Sequence, residues 1–150
     1  NIQPFKVNFK EGHLALSHNG NFTNTKELRD KLQEEGTLFQ TSTDSEIFLH
    51  LIARSREKEM IDKILDAARQ VRGAYSIVLL TDDKLFAIRD PYAVRPLSMG
   101  KLGSSFVFAS ETCAYDIINA EYIRDLKAGE VIQIDEEVIR TGEVKSFFID

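Results

Sequence analysis

A chain of 150 residues with 43% hydrophobic and 29% charged residues is one ordinary domain or a large piece of one. Its formal net charge is -5, and without a Lys/Arg run it lacks the concentrated positive surface that a nucleic-acid partner needs. No apolar run nears the ~20 residues of a membrane span, and no signal-peptide pattern is present. Cys113 is the only cysteine, so no internal disulfide forms and a reducing, cytoplasmic compartment is expected. His13, His18 and His50 show no metal-ligand spacing with each other or with Cys113, so no metal or other cofactor is expected in this chain. The first residue is Asn1 rather than Met, and the chain is read as starting inside a longer protein.

Phe5 to Phe9 alternates apolar and polar residues and predicts a strand. Glu11-Gly12 predicts a turn and His13 to His18 a second strand, with Leu14 and Leu16 on one face and Ala15 and Ser17 on the other. Asn19-Gly20 then predicts a tight turn. Asn24 with Glu27 has capping-box spacing for a helix carrying Leu28 and Leu32, closed by Gly36. Leu38 to Thr41 is read as a short strand. Thr43 with Glu46 repeats the capping-box spacing before a helix whose stripe is Ile47, Leu51 and Ile52. A third helix carries Ile61, Ile64, Leu65, Ala68 and Val71, and Gly73 closes it.

Ala74 to Leu80 is nearly continuous apolar sequence, so both faces of this strand are expected to be covered. It turns at Asp82-Asp83 into Leu85 to Arg89. Strands at Leu97–Gly100 and Phe106–Ala109 flank a turn at 102–104, and a short helix runs from near Glu111 toward Ile118. Val131–Ile134 and Val138–Thr141 are read as a last hairpin around 135–137. Hairpins outnumber βαβ patterns, so the fold class is α+β, with mostly antiparallel sheets and helices packed outside.

Two stretches carry candidate chemistry. In Ser17-His18-Asn19-Gly20-Asn21, a side-chain amide and a backbone N–H meet at one point, which suits a developing oxyanion; read alone, it is more often a turn with no chemistry. In Gln40-Thr41-Ser42-Thr43-Asp44-Ser45-Glu46, Asp44 could hold a substrate ammonium or simply sit at a helix start.

Their order supplies what each lacks alone. Asn1-Ile2-Gln3-Pro4, His18 to Asn21 and Thr43 to Glu46 together resemble the class II, N-terminal-nucleophile glutamine amidotransferase family. Arg89-Asp90-Pro91, Arg95-Pro96-Leu97, Ser110-Glu111-Thr112-Cys113-Ala114 and Leu126 to Glu130 resemble its amidophosphoribosyltransferase branch. The resemblance implies a four-layer αββα sandwich, incomplete at its N-terminus. Residues 1–150 would be the later part of one type 2 glutaminase domain, with an upstream catalytic segment and a downstream phosphoribosyltransferase domain outside the chain. The implied reaction is glutamine hydrolysis that supplies ammonia for phosphoribosylamine, in the first step of purine synthesis. Asn19 and the Gly20 N–H would form the oxyanion hole, and Asp44 would bind the α-ammonium of glutamine. The nucleophile would be an N-terminal cysteine upstream, joined there by an arginine for the substrate carboxylate, so this chain alone is expected to be inactive. Magnesium would belong to the phosphoribosyltransferase domain, and the parent protein is expected to form a homo-oligomer. The alternatives are an asparagine synthetase or hexosamine-forming relative, or a glutamine-binding module without catalysis.

Pro91-Tyr92-Ala93-Val94-Arg95-Pro96 has alanine where the family often has glycine, so the turn is expected to differ. Cys113 is read as a buried structural thiol. Val131 to Glu136 superficially resembles a pyrophosphate-binding loop, but a plain hairpin is expected. His50 is read as a packing residue, and Arg54 to Lys63 as a solvated charged face.

Overall fold

The structure is a computed structural model and describes residues 4–9 and 12–150. β1 (Phe5–Phe9) and β2 (Gly12–Phe22) pair antiparallel, with Phe5 opposite Leu16. Glu11, half of the turn expected between them, lies outside the described residues. β2 is longer than its sequence suggests. The ladder with β3 (Gly73–Leu80) runs through Asn19 opposite Ser76, Gly20 opposite Tyr75 and Phe22 opposite Gly73. Asn19-Gly20 is therefore strand, not a chain reversal. Gly20 takes φ +124° inside the ladder, where a side chain would collide with the β3 backbone. The glycine thus serves close approach of two strands rather than a turn.

Strand order in the large sheet is β1-β2-β3-β4-β8-β9, with β4 (Leu85–Arg89), β8 (Glu130–Ile134) and β9 (Lys145–Phe148). The small sheet is β6-β5-β7, from β5 (Ser98–Leu102), β6 (Ser105–Ala109) and β7 (Glu121–Asp125). All pairings are antiparallel.

Alternation sorts the residues into two cores. Leu14, Leu16, Tyr75, Ile77 and Leu79 face α1 (Thr25–Glu34), α2 (Asp44–Arg54) and α3 (Met60–Gln70). Ala87, Ile132 and Ile134 of the large sheet meet Leu97 and Met99 beside the small one. On the small sheet's far face, Tyr115 of α4 (Cys113–Ile118) lies over Gly100 and its hydroxyl reaches Ser98 Oγ at 2.7 Å. The layers are thus helices, sheet, sheet, helix: the αββα sandwich expected.

Local differences have local causes. Neither predicted capping box forms by side-chain bonds. Asn24 instead spans two elements, accepting from Arg72 N–H and donating to Gln70 C=O, both at 2.9 Å. Gly36, φ +96°, does end α1: Gly36 N–H reaches Gln33 C=O and Thr37 N–H reaches Leu32 C=O, a Schellman closure. Residues 38–41 are not strand. Gly73 opens β3 rather than closing α3. Val138–Thr141 is helical, within α5 (Glu136–Thr141), because Asp135 accepts from Val138 N–H at 3.0 Å and Gly142 closes the turn at φ +79°. β8 still pairs antiparallel, but with β9 after that helix. Lys63 is 2% exposed, its Nζ donating to Ser55 C=O at 3.2 Å, so the charged stretch is not wholly a solvated face.

Candidate functional site

β2 supplies the site because alternation splits its end. Ser17 and Asn19 belong to the face toward the small sheet; His18 and Phe22 share the helix-facing register of Leu14 and Leu16. Ser17, His18 and Asn19 border a cavity of about 340 Å³ between the sheets, with Ser76, Val78, Leu97, Phe108 and Ser110. An amide side chain and the strand end thus meet open space.

Asp44 reaches the same strand end from the N-terminus of α2. Its Oδ2 accepts from Phe22 N–H at 2.9 Å. The structure therefore brings Asn19, Gly20 and Asp44 onto one stretch of β2. Three residues of strand separate Asn19 from Phe22, roughly 10 Å. The Phe22 ring stacks on His18 at 5.0 Å and meets Tyr75 edge-on at 5.5 Å. Burial pushes the His18 imidazole below its ordinary value; Asp44 opposes this and Arg95 adds to it. Burial thus favours the uncharged form of the ring next to Asn19.

The loop before α2 is held by Glu46, which is buried. Glu46 accepts from Gln40 N–H at 2.8 Å and from Thr41 N–H and Oγ1 at 2.6 and 2.7 Å. Burial would raise its carboxyl, but these bonds and His50 outweigh burial and hold it below the ordinary range. His50 is a packing residue as expected, with Nε2 3.0 Å from Glu46 and its ring edge-on to Phe39 at 5.0 Å. The Thr-Glu spacing thus marks a loop clamp rather than a cap.

A second hub was hidden in Arg89-Asp90. Asp90 is 0% exposed and accepts from the N–H groups of Tyr75, Tyr92, Val94 and Arg95. The Arg89 guanidinium donates to the carbonyls of Ala93, Arg95 and Leu126. This forces Ala93 to φ 53°, so the turn keeps its left-handed residue despite the alanine. The only sequence signal was Asp before Pro, which says turn but not hub.

Cys113 is exposed, contrary to the buried role expected, because it opens α4 with its sulfur 3.5 Å from Glu111. It does not line the cavity beside Asn19, although Glu111 and Ala114 do. Among the described residues, no group of three or more His, Cys, Asp and Glu is arranged to hold a metal. No described helix is long and apolar enough to cross a membrane.

Two antiparallel sheets between helices, with amide and carboxylate side chains converging on one strand end, agree with what sequence comparison finds. The family model described as glutamine amidotransferase domain matches residues 1–116, and the chain belongs to that family. Its relatives narrow the branch. Amidophosphoribosyltransferase 3, chloroplastic, of Arabidopsis thaliana is 50% identical over 136 residues, 90% of this chain and 26% of that protein. The amidophosphoribosyltransferase of Rhizobium etli is 49% identical over 132 residues, 88% of this chain and 27% of its own. Among solved structures, the glutamine phosphoribosylpyrophosphate amidotransferase of B. subtilis, complexed with ADP and GMP, superposes with TM-score 0.94 at 38% identity. That match covers 100% of this chain and 32% of the other. A class-II glutamine aminotransferase domain protein from Silicibacter pomeroyi, 13% identical with TM-score 0.63, shares the fold. The chain spans about a quarter of the length of the curated relatives it matches.

Proposed function

We propose that this chain forms the later part of the glutaminase unit of an amidophosphoribosyltransferase. The unit hydrolyses glutamine, and the ammonia released makes phosphoribosylamine in the first step of purine synthesis. The observation that carries this reading is the match over the whole chain to the B. subtilis enzyme, at 38% identity and TM-score 0.94. The solved structures at 13% and 16% identity share the fold alone.

In this reading Asn19 and the Gly20 N–H donate to the amide oxygen of glutamine as its carbon becomes tetrahedral. Two neutral, preset donors suit charge that develops only during the reaction. Gly20 leaves room because it has no side chain. Asp44, braced by Phe22, holds the α-ammonium. The thiol that attacks the amide is an N-terminal cysteine supplied by sequence upstream of Asn1, as is the arginine for the substrate carboxylate. This chain taken alone is then inactive.

The wider assembly follows from the same reading. A phosphoribosyltransferase unit lies downstream and carries the magnesium, and the protein is a homo-oligomer. A cytoplasmic location belongs to the same reading, supported by the single cysteine; the plant relatives are chloroplastic.

The test is Asn19→Ala in the full-length protein. Removing one oxyanion donor typically lowers kcat by about 10²–10³. Glutaminase turnover should fall by that order while phosphoribosylamine synthesis from added ammonia persists. An unchanged glutaminase rate would return Asn19 to a plain strand residue.

A further inference from the structure

Arg95 is held by its backbone on both sides, yet its charge is uncommitted. Its N–H donates to Asp90 Oδ1 at 3.3 Å, and its carbonyl accepts from Arg89 Nε at 2.9 Å. The same Asp90 oxygen accepts from Tyr75 N–H at 3.2 Å. Tyr75 lies directly opposite Gly20 across β2 and β3. One carboxylate oxygen therefore fixes Arg95 relative to the candidate oxyanion position. Arg95 is half-buried as a residue, and among the described residues its guanidinium has no hydrogen-bond or ion-pair partner. A guanidinium in that setting is normally paired.

Asp44 comes to the same segment through Phe22. It is bound to Phe22 N–H, and the Phe22 ring lies against both His18 and Tyr75. Both charges act on the His18 ring, behind burial: Asp44 favours its protonation and Arg95 opposes it. Asp44 and Arg95 thus both lie within electrostatic reach of His18, and no ion pair joins them. An α-amino acid presents the complementary pair, an ammonium and a carboxylate on one carbon.

We propose that Arg95 binds the α-carboxylate of the substrate while Asp44 holds its α-ammonium, which makes Arg95 a specificity-determining residue for free glutamine. This rests on the glutaminase reading above. A carboxylate offers about four acceptor positions, so Arg95 and an upstream arginine both fit on it. The planar fork of arginine suits this contact better than a lysine point charge.

The experiment compares wild-type, Arg95→Gln and Arg95→Lys full-length proteins on two substrates, L-glutamine and its α-carboxamide, which lacks the α-carboxylate. Hydrogen bonds to charged groups set the expected size. Arg95→Gln should lower kcat/KM for glutamine about ten- to a hundredfold, mostly through KM, with the carboxamide changed by less than about threefold. Arg95→Lys should recover part of the loss, and thermal melting checks folding. Equal losses on both substrates, or an unchanged KM for glutamine, would overturn the assignment and leave Arg95 a structural residue. If the wild-type protein hydrolyses no glutamine, the glutaminase reading itself falls, and this one with it.

Discussion

Gly20 and Gly73 hold β2 and β3 together at a spacing that admits no side chain at either position. A Cβ on Gly20 would strike the Ala74 carbonyl and Tyr75 Cα; one on Gly73 would strike the Asn21 carbonyl and Phe22 Cα. Both glycines also sit far into positive φ, at +124° and +132°. Gly20→Ala and Gly73→Ala should each destabilise the domain by about 2 kcal/mol, the cost of a forced backbone. Thermal denaturation of the full-length protein checks this. Gly20→Ala should also lose far more glutaminase rate than Gly73→Ala, because it displaces a proposed oxyanion donor. A Gly73→Ala protein as stable as wild type would mean that the strands separate without cost.

The turn at residues 91–95 is strained by design of its neighbours. Alanine at φ 53° costs about 1–2 kcal/mol relative to an unstrained conformation. Ala93→Gly should therefore raise stability by about 1 kcal/mol, once the extra freedom of an unfolded glycine is counted. Asp90→Ala should do the reverse and by more, since four backbone N–H groups lose their acceptor. A loss of about 3 kcal/mol or more is expected. Melting curves showing Asp90→Ala near wild type would place water, not the carboxylate, as the effective partner.

The legibility of this chain differs by element. Leu14 and Leu16 announced β2, and the helical period of Ile61 to Val71 announced α3, because one apolar face marks a half-buried element. Asn19-Gly20 misled because turn chemistry and close strand approach both favour glycine. Val138–Thr141 alternates like a strand, yet the Asp135 cap and Gly142 decide for helix; those signals were present and outweighed. β7 was missed because Glu121–Asp125 is a largely exposed edge strand with no apolar stripe. At the site, Asn19 and Asp44 were ambiguous by themselves and became candidates through the order of several motifs. Arg89 and Asp90 carry part of the family resemblance, but their hub is built from bonds to backbone groups, which leave no periodicity to read.

Glu130 joins the two sheets and should make the fold acid-sensitive. It is 1% exposed and accepts from both Arg124 amino groups, Lys127 N–H and Ser146 Oγ at 2.6–2.8 Å. Burial would raise its carboxyl, but those donors outweigh burial and bring it from 4.5 to about 2. A lowered folded value stabilises the protein above the ordinary carboxyl range, and that contribution is lost as pH falls from 4.5 toward 2. Glu130→Gln should lose about 3 kcal/mol at pH 7, because Arg124 is left half-buried and unpaired. Its melting temperature should also fall less steeply between pH 5 and 3 than that of wild type. Parallel pH slopes in the two proteins would move the acid sensitivity elsewhere.

Asp44 has two jobs that one substitution can separate. Its Oδ2 braces Phe22 N–H at 2.9 Å, and its charge is proposed to hold the substrate ammonium. Asn at this position keeps an acceptor oxygen for Phe22 and suits a helix N-terminus about as well, so only the charge is lost. Asp44→Asn should melt like wild type yet raise the KM for glutamine about tenfold or more, the size of a hydrogen bond to a charged group. Turnover should change little, since the ammonium contact is the same in ground and transition states. Asp44→Ala removes the brace as well, so it should lose stability of about 1 kcal/mol in addition to affinity. Steady-state glutaminase kinetics and melting curves on the three full-length proteins decide the matter. A normal KM in Asp44→Asn beside a destabilised Asp44→Ala would leave Asp44 as the brace of Phe22 and nothing more.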